Sequence, residues 1–414
     1  MKGAVSELLS PQKALELVLA RVQPLPAEPV ALADALGRIV AAEVTSAEDV
    51  PGFDNSAMDG YAVRSRDTRG ARAGRPVALR LTGESRAGTP ASVALTGGDA
   101  IRISTGAMLP AGADAVVRRE DAREGRESVE IQAEVPPGKE IRRAGEDIRA
   151  GETVIEPGTV LGPAELGVIA SVGISEASCA RRPRLAVLTT GDELVEPGLP
   201  LAPGQIHNSN YYSVAAQARG VGADVVDAQI VPDSFERTRG AIAAGLENDV
   251  LVVCGGVSVG EHDHVKPALA DLGAEEVFWG VALRPGHPTW FGVGPPDEEG
   301  DPGRALVFGL PGNPVSAMIT FHLFVRPALL TMMGAHPNPR RSTAVMDEPY
   351  AKQPGRAHVV RCRLEQRHDG WHVRPTKAQG SHVLTSMLDA EALAYLEVEQ
   401  GDVSAGEHVE IEIL

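Results

Sequence analysis

The chain has 414 residues, 43% of them hydrophobic, and this length predicts roughly two to four domains rather than one core. Asp and Glu outnumber Lys and Arg by 56 to 39, which gives a net charge of −17. This charge excludes nucleic acid as a general partner, because binding a phosphate backbone needs a basic face.

Three cysteines, Cys179, Cys254 and Cys362, are far apart in the sequence, which excludes a zinc knuckle and argues against a disulfide scaffold. The segment Met1–Arg21 carries charged residues and lacks an uninterrupted apolar core, so it does not resemble a signal peptide. No segment of the sequence approaches the run of about 18 apolar residues that is needed to span a membrane. We therefore expect a cytoplasmic protein with no membrane partner.

Two predicted helices flank a β-rich N-terminal region. Ser10-Pro11 supplies the N-cap and first-turn residues of the first helix. Residues 27–160 contain short apolar runs broken by Gly, Pro and Asp, such as Pro76–Leu81 and Asp114–Val117, and this pattern predicts small antiparallel sheets. The segment Pro163–Val172 has the pattern of the second helix.

From Arg184 to about Leu330, strand-like and helix-like segments alternate, which predicts a doubly wound α/β domain. The predicted strands are Leu185–Thr190, Ala223–Val231, Asp249–Cys254 and Leu306–Phe308. The predicted helices are Asn210–Gly220, Ser234–Leu246, Asp263–Leu272 and Pro314–Val325. Beyond Pro337, short β segments predict a small C-terminal β domain, and they are Ala357–Leu364, Gly370–Arg374 and Ala394–Glu399.

Three predicted strands run directly into glycine-rich loops. These loops are Gly191-Asp-Glu-Leu194, Gly255-Gly-Val-Ser-Val-Gly260 and Gly309-Leu-Pro-Gly-Asn-Pro314. Such loops present successive backbone N–H groups, and the carboxyl ends of parallel strands meet at one edge of a sheet. The pattern therefore predicts one crevice that binds a phosphate or another oxyanion.

Acidic residues accompany two of these loops: Asp192 and Glu193 in the first, and Glu261 and Asp263 after the second. Carboxylates beside a phosphate site indicate a bridging hard cation such as Mg²⁺. Asp263 alone has a second interpretation, as the N-cap of the helix that follows it. His262 and His264 do not predict a transition-metal site, because side chains two residues apart on a turn usually point in different directions.

Other segments carry weaker signals. Asn313-Pro314 begins a helix whose first amides could hold an anion, although a structural turn is the alternative. Arg284 is a candidate phosphate clamp. The polar loop Asp49–Tyr61 holds candidates for ligation or base chemistry, which are Asp54, Asn55, Ser56 and Asp59. The chain has no Walker A lysine, no G-x-G-x-x-G and no G-x-S-x-G, which excludes the commonest nucleotide-binding and hydrolase motifs.

Six stretches, in this order, resemble the molybdopterin molybdenumtransferase family, which comprises the bacterial MoeA proteins and the E domain of gephyrin. They are Asp49–Val63, Ile101–Pro110 with Gly112–Val117, Arg142–Ile148, Thr190–Leu194, Gly255–Lys266 and Gly309–Ser316. The resemblance covers nearly the whole chain. It implies an elongated homodimer with four domains per chain, one of them shared with the adenylyltransferase that makes the substrate.

On this resemblance the fold is multidomain, with a central doubly wound α/β molybdopterin-binding domain between mixed N-terminal β/α domains and a small C-terminal domain like a β-barrel. We expect residues 1–48 and 141–180 to form an N-terminal linker and helical domain, with residues 49–140 inserted in it as a small β-rich domain. Residues 181–332 would form the α/β domain, and 333–414 the C-terminal β domain.

The resemblance also implies a reaction. The substrates are adenylylated molybdopterin and molybdate, the phosphoanhydride is cleaved with the help of Mg²⁺, AMP is released, and molybdenum is left on the dithiolene sulfurs. The site would lie between the α/β domain of one subunit and the N-terminal loops of the other. The molybdopterin adenylyltransferase is a possible further partner.

Residue roles follow from the motifs and this resemblance together. The expected catalytic residues are Asp59, Glu193, Asp233 and Asp263. The expected substrate-binding residues are Thr105, Arg142, Asp147, Thr190, Gly191, Gly255, Gly256, Ser258, Gly260, Arg284, Pro311, Pro314, Arg356 and Ser381. The expected Mg²⁺ ligands are Asp192, Glu193 and Asp263. The chain departs from the family at Gly280, Arg284 and His287, in a segment where members often carry lysines.

Two other functions compete with this one. The first is the molybdopterin adenylyltransferase itself, which the N-terminal 180 residues and the C-terminal β domain argue against. The second is a non-catalytic dimeric scaffold, for which the sequence has no marked peptide groove.

Overall fold

The computed structural model describes residues 8–257, 263–296, 305–337, 339 and 341–414. Within them the chain forms the predicted succession of a mixed N-terminal region, a central α/β domain and a C-terminal β domain.

The N-terminal region contains two small antiparallel pairs. Ala27–Ala31 pairs with Glu176–Ala180, and Val44–Thr45 pairs with Thr153–Ile155. The helix Pro163–Ser171 packs against them through Ile169, which is fully buried. Both ends of the region therefore meet in one core, because its strands come from before and after the inserted β domain.

The inserted domain is a six-stranded mixed sheet. Its strands, in spatial order, are Ala115–Arg118, Gly60–Val63, Asp99–Ile103, Arg72–Ser85, Ser128–Ala133 and Ala122–Glu124. A short pair, Asn55–Ser56 with Ile141–Arg142, joins it to the chain on either side. Only Asp99–Ile103 and Arg72–Ser85 run parallel, so the predicted antiparallel character is largely present.

The central domain is a six-stranded sheet. In spatial order its strands are Asp224–Val231, Arg184–Thr190, Val250–Cys254, Leu306–Leu310, Trp290–Val293 and Glu275–Trp279. The first four are parallel and match the predicted strands. The last two pair antiparallel and were not predicted: Glu275–Trp279 follows the helix Val265–Asp271, but Trp290–Val293 returns beside it without a helix between them.

Helices cover both faces of the central sheet, as its two separate apolar cores require. They are Ser209–Val221, Phe235–Gly245, Val265–Asp271 and a continuous helix from Pro314 to Met332. The last consists of the α-helical turns Pro314–Thr320 and Arg326–Met332 with a π-helical segment, Phe321–Val325, between them. A short parallel pair, Leu194–Val195 with Ile206–His207, extends the first glycine loop.

The helix Pro314–Met332 is the part of the described chain that bears on the expected absence of a membrane span. With 19 residues and a mean hydropathy of 1.4, it is long and apolar enough to cross a membrane, although the sequence pattern predicted no such stretch. Two thirds of it, 67%, is buried inside the protein, where Phe321, Phe324 and Leu329 pack into the central core. The helix is therefore apolar because its own domain encloses it.

The first helix, Pro11–Leu19, lies elsewhere than its position in the sequence suggested. Ser10 caps it by accepting a hydrogen bond from the Lys13 N–H at 3.1 Å. Its buried face, Ala14 and Val18, packs into the core of the central α/β domain, not into the N-terminal region. The 3.6-residue periodicity predicts that such a face exists, but it does not identify the surface that covers it.

The C-terminal domain is a closed five-stranded barrel. Around the barrel the strands are Ala357–Arg367, Gly370–Pro375, Arg341–Met346, His408–Ile413 and Ala392–Leu396, and the last pairs back with the first. The predicted strand Ala394–Glu399 is shifted by a few residues, since a turn begins at Glu397. Leu283–Arg284 of the central domain pairs alongside Ala357–His358, which attaches the barrel to the crevice.

Candidate functional site

The three glycine-rich loops meet at the carboxyl ends of the central strands. Gly255 and Gly256 have φ angles of +94° and +64°, which side-chain-bearing residues rarely adopt. A Cβ on Gly255 would lie 3.0 Å from Thr190 Oγ1, and a Cβ on Gly312 would lie 3.7 Å from the Gly255 Cα. The predicted crevice therefore forms, and glycine is required where its walls approach each other.

A cavity of about 1420 Å³, open to solvent, occupies this edge of the sheet. Thr190, Glu193, Cys254, Pro311, Asn313 and Pro314 line it, together with residues that the sequence patterns missed, which are His207, Asn208, Asn210 and His382. These lie in loops or first helical turns without a recognisable motif. Burial raises the pKa of the Cys254 thiol to about 12, so Cys254 contributes a protonated sulfur and not a thiolate nucleophile.

The exposed Glu193 side chain lies beside Gly191 of the first loop. A Cβ on Gly191, whose φ is +145°, would lie 2.3 Å from Glu193 Oε2, so a larger residue there would displace this carboxylate. Asp192 and Asp233 hold the turn together, since the Asp233 N–H donates to Asp192 Oδ1 at 3.1 Å. In return the Asp192 N–H donates to Asp233 Oδ2 at 3.4 Å. These two acids fix the loop, while Glu193 faces the cavity.

The predicted magnesium ligands do not form a ready-made site. Within the described ranges, no group of three or more His, Cys, Asp or Glu side chains is arranged to hold a metal ion. The helix Val265–Asp271 has His264 at its N-cap, so Asp263 is not the N-cap residue either. An ion bound here would take one or two carboxylates, Glu193 first, and complete its shell with substrate oxygens and water.

Some predicted site residues belong to the second half of the second glycine-rich loop. Ser258 and Gly260, predicted to bind substrate, lie outside the described residues, as do Glu261 and His262.

The crevice continues into a second cavity of about 760 Å³ between the central domain and the barrel. The central domain contributes Arg284, His287 and Ser316, and the barrel contributes Arg356 and the segment 379–382. Pro288, Asn313 and His382 line both this cavity and the first. The structure therefore brings Arg284, Arg356 and Ser381 to the same crevice as Glu193 and Thr190.

A third cavity, of about 1250 Å³, lies on the other side of the two arginines and is also lined by Lys352 and His358. Arg284 and Arg356 are exposed, and neither forms an ion pair within the described part of the chain. In a chain with a net charge of −17, unpaired arginines are available for an anionic ligand. The sequence identified Arg284 and Arg356 but missed Lys352 and His358.

Burial and the surrounding positive charges determine the protonation of His358. Desolvation, with Arg284, Lys352 and Arg356 nearby, lowers the pKa of His358 to about 4. Its Nδ1 lies 3.2 Å from the Tyr350 hydroxyl. His358 is therefore neutral at physiological pH, and the fixed positive charge of this wall comes from the arginines and Lys352.

The N-terminal candidates form a separate group. Asp59 Oδ1 accepts hydrogen bonds from the Thr105 N–H at 2.7 Å and from Thr105 Oγ1 at 3.1 Å. The backbone hydrogen bond from Thr105 is the main cause of the lowered pKa of Asp59. Arg142 lies in the strand Ile141–Arg142, and the Asp147 N–H donates to the Val50 carbonyl at 3.1 Å.

None of these four N-terminal residues lines the three cavities. A single chain therefore contains two exposed groups of candidate residues, one in the inserted β domain and one in the crevice. Asp59 and Thr105 are hydrogen-bonded to each other, but they do not line the crevice that contains Glu193 of the same chain.

The fold and the crevice together define a multidomain α/β protein with an open crevice at the carboxyl edge of its central sheet. Three family models cover nearly all of it. Residues 9–173 match the MoeA N-terminal region, domains I and II, and residues 186–331 match a probable molybdopterin binding domain. Residues 343–414 match the MoeA C-terminal region, domain IV.

Similar proteins match over the same length. The molybdopterin molybdenumtransferase of Haemophilus influenzae is 38% identical over 394 residues, which is 94% of each chain. Molybdopterin molybdenumtransferase 2 of Mycobacterium tuberculosis is also 38% identical, over 92% of this chain and 94% of its own. The crystal structure of the molybdopterin biosynthesis MoeA protein from Pyrococcus horikoshii superposes with a TM-score of 0.83 at 32% identity, covering 98% of this chain and 99% of that one.

The chain belongs to the molybdopterin molybdenumtransferase (MoeA) family and is an enzyme of the transferase class. The family and the fold class predicted from the sequence are confirmed, including the closed barrel at the C-terminus.

Proposed function

We propose that this enzyme inserts molybdenum into molybdopterin. It hydrolyses adenylylated molybdopterin in the presence of molybdate, releases AMP and leaves molybdenum on the dithiolene sulfurs, which is the last step of molybdenum cofactor biosynthesis. The observation that carries the proposal is one continuous crevice, which runs from Glu193 and Thr190 at the sheet edge to Arg284, Arg356 and Ser381 at the barrel.

The two ends of the crevice suit different parts of the reaction. Glycine-rich loops, which offer backbone N–H groups, suit the phosphates of the adenylylated pterin. The arginine-lined end suits molybdate, a small dianion that is a substrate here. Bound Mg²⁺ would neutralise charge that develops on the departing phosphate. Glu193 is the carboxylate best placed to bind that ion or to orient the attacking oxygen.

We further propose that the active form is a homodimer. Asp59, Thr105, Arg142 and Asp147 are separated from the crevice of their own chain, yet Asp59 and Thr105 form an exposed, hydrogen-bonded group. In a symmetric dimer the inserted β domain of a second copy, with the adjoining segment 141–148, can supply these residues to the crevice, and each copy does the same for the other.

The first test is substitution of the two central carboxylates. Glu193→Gln and Asp59→Asn each remove a negative charge while keeping the side-chain shape, so we expect folded proteins whose AMP release falls by about 100-fold or more. AMP is measured with adenylylated molybdopterin, molybdate and magnesium, alongside mature cofactor. Glu196→Gln is the control, because Glu196 lies in the same loop region and its exposed side chain accepts a hydrogen bond from the Tyr212 hydroxyl at 3.1 Å.

Mixing the two inactive variants tests the dimer. If each site combines Asp59 of one copy with Glu193 of the other, mixed dimers contain one intact site, and an equimolar mixture recovers about a quarter of the normal activity. Recovery of none, when co-purification of an untagged variant with an affinity-tagged one verifies subunit exchange, would assign both residues to one chain and contradict the shared site. Normal AMP release by Glu193→Gln alone would contradict the role of Glu193.

The competing adenylyltransferase function has less support. The family models for the N-terminal and C-terminal regions lie outside the probable molybdopterin binding domain, and that domain is the only part the alternative needs. Formation of adenylylated molybdopterin from ATP and molybdopterin would reveal the alternative. We propose that the enzyme acts in the cytoplasm, which fits three cysteines that are buried apart from one another and form no disulfide framework.

A further inference from the structure

A fully buried arginine lies behind the barrel loop that borders the second cavity. Arg361, on the strand Ala357–Arg367, is 0% exposed. In the part of the chain that the structure describes, no carboxylate pairs with it, and its Nε and Nη1 groups have no hydrogen-bond partner. An unpaired buried charge is strongly destabilising unless something nearby offsets it.

The contacts that Arg361 does make are with the loop that lines the cavity. Its Nη2 donates to the carbonyl oxygens of Ala378 at 3.3 Å and Gly380 at 3.4 Å. The Gln379 side chain fixes the same loop, donating to the Arg361 carbonyl at 2.8 Å and accepting from the Arg361 N–H at 3.2 Å. Both loop carbonyls therefore point into the barrel wall, towards the guanidinium.

The N–H sides of the peptide groups Ala378–Gln379 and Gly380–Ser381 face the cavity. In a trans peptide the N–H points away from the carbonyl, so the N–H groups of Gln379 and Ser381 point away from Arg361. Gln379, Gly380 and Ser381 line the cavity of about 760 Å³. Within the part of the chain that the structure describes, neither of these two N–H groups donates a hydrogen bond.

The loop is also fixed at its far end. The Ser381 carbonyl accepts the N–H of Val315 at 3.1 Å, in the first turn of the helix Pro314–Met332. Arg361 and this helix therefore hold the loop from two sides, and Ser381 cannot turn its peptide over without breaking one of these contacts.

We propose that Arg361 is a positioning residue for oxyanion binding: it orients two peptide groups so that the N–H groups of Gln379 and Ser381 are presented to a tetrahedral oxyanion. Its unpaired positive charge adds to the attraction, and the bound anion in turn offsets the buried charge. The inference rests on the proposed function in one respect, which is that the oxyanion is the molybdate substrate.

The test is direct binding of inorganic molybdate, without any pterin, to the full-length protein by calorimetry. Arg361→Met should weaken molybdate binding by about tenfold or more, and Arg361→Lys should restore much of it. Arg363→Met is the matched control, since Arg363 lies on the same strand but is exposed and pairs with Asp389 at 2.7 Å. It should bind molybdate like the unmodified protein.

Kinetics separate a positioning role from a merely structural one. In Arg361→Met the KM for molybdate should rise, while kcat at saturating molybdate stays close to normal, because the groups that act on the phosphoanhydride are untouched. A folded Arg361→Met protein with unchanged molybdate affinity would overturn the proposal. So would an equal loss of affinity in Arg363→Met.

Hydrogen exchange on the unmodified protein decides the matter if Arg361→Met does not fold. Molybdate should slow exchange of the backbone amides in residues 376–382, and exchange that molybdate leaves unchanged there would overturn the inference. The proposed function fails separately: molybdate would bind as described, but adenylylated molybdopterin would release no AMP.

Discussion

The crevice gains its positive charge from a few side chains with different protonation behaviour. Arg284 and Arg356 are always charged, whereas His358 is kept neutral by burial between them. Because the site works in a strongly acidic protein, the affinity for an oxyanion comes from local donors and not from the overall charge.

His358 makes stability depend on pH. Its pKa is lowered to about 4 in the folded state, so as the pH falls below its ordinary value of 6.5 the unfolded chain takes up a proton first. The folded state therefore loses stability between pH 6.5 and about 4, by at most about 3 kcal/mol, and nothing is lost above this range.

His358→Gln should remove that dependence. Urea unfolding at pH 7 and pH 4.5 gives the two free energies for each protein, and their difference should be smaller in the variant. His368→Gln is the control, because the His368 side chain is 95% exposed, and it should leave the difference unchanged. Equal pH dependence in the unmodified protein and His358→Gln would show that His358 is protonated in the folded state.

At the scale of secondary structure, the strand–loop–helix junctions depend on glycine. Gly256 has a φ of +64°, and a Cβ there would lie 2.7 Å from Val265 Cγ2 and 2.9 Å from Thr190 Oγ1. The side chain of alanine therefore fits neither the backbone conformation nor the space between the strand and the following helix.

Gly256→Ala should cost about 1–3 kcal/mol of unfolding free energy and open the crevice, so molybdate binding should weaken as well. Gly240→Ala is the opposite case, since Gly240 lies inside the helix Phe235–Gly245 with nothing within 4 Å of the added Cβ. That change should stabilise the protein by about 0.5–1 kcal/mol. Chemical denaturation measures both, and a neutral Gly256→Ala would mean that the loop adapts without cost.

At the scale of the whole molecule, the barrel must be fixed relative to the central domain, because each contributes part of the crevice. A buried polar cluster lies at their contact. Glu412 of the barrel, 5% exposed, accepts the Tyr395 hydroxyl at 2.7 Å and lies 2.8 Å from His322 Nε2 of the helix Pro314–Met332. His322 belongs to the π-helical segment of this helix.

Removing Glu412 should loosen this contact. Glu412→Ala leaves His322 and Tyr395 without their common partner, and we expect a loss of about 3–5 kcal/mol and weaker molybdate binding. Urea unfolding and proteolysis between the two domains measure the effect. Glu410→Ala is the matched control on the same strand, because its exposed ion pair with Arg341 contributes about 1 kcal/mol or less. If both variants were equally stable, the cluster would not hold the domains together.

Much of this architecture could be predicted from local patterns. The strands Arg184–Thr190 and Val250–Cys254 are buried on both faces, so they appear as continuous apolar runs, and glycines mark their ends. The strands Glu275–Trp279 and Trp290–Val293 could not be predicted in the same way, because they pair antiparallel with each other instead of continuing the strand–helix alternation of the domain. The sequence marked Asp192 and Asp233 as candidates for chemistry but did not reveal that each also accepts a hydrogen bond from the backbone N–H of the other.

The amino-acid sequence by itself determined the family, the order of the domains and the three glycine-rich loops, since each depends on neighbours within a few residues. Only the tertiary structure decided that the first helix packs on the central domain, that Arg356 and Ser381 share a crevice with Glu193, and that Arg361 lies buried behind Ser381. Such contacts join segments more than a hundred residues apart or depend on which way a peptide group faces, and no local pattern of residue types records either.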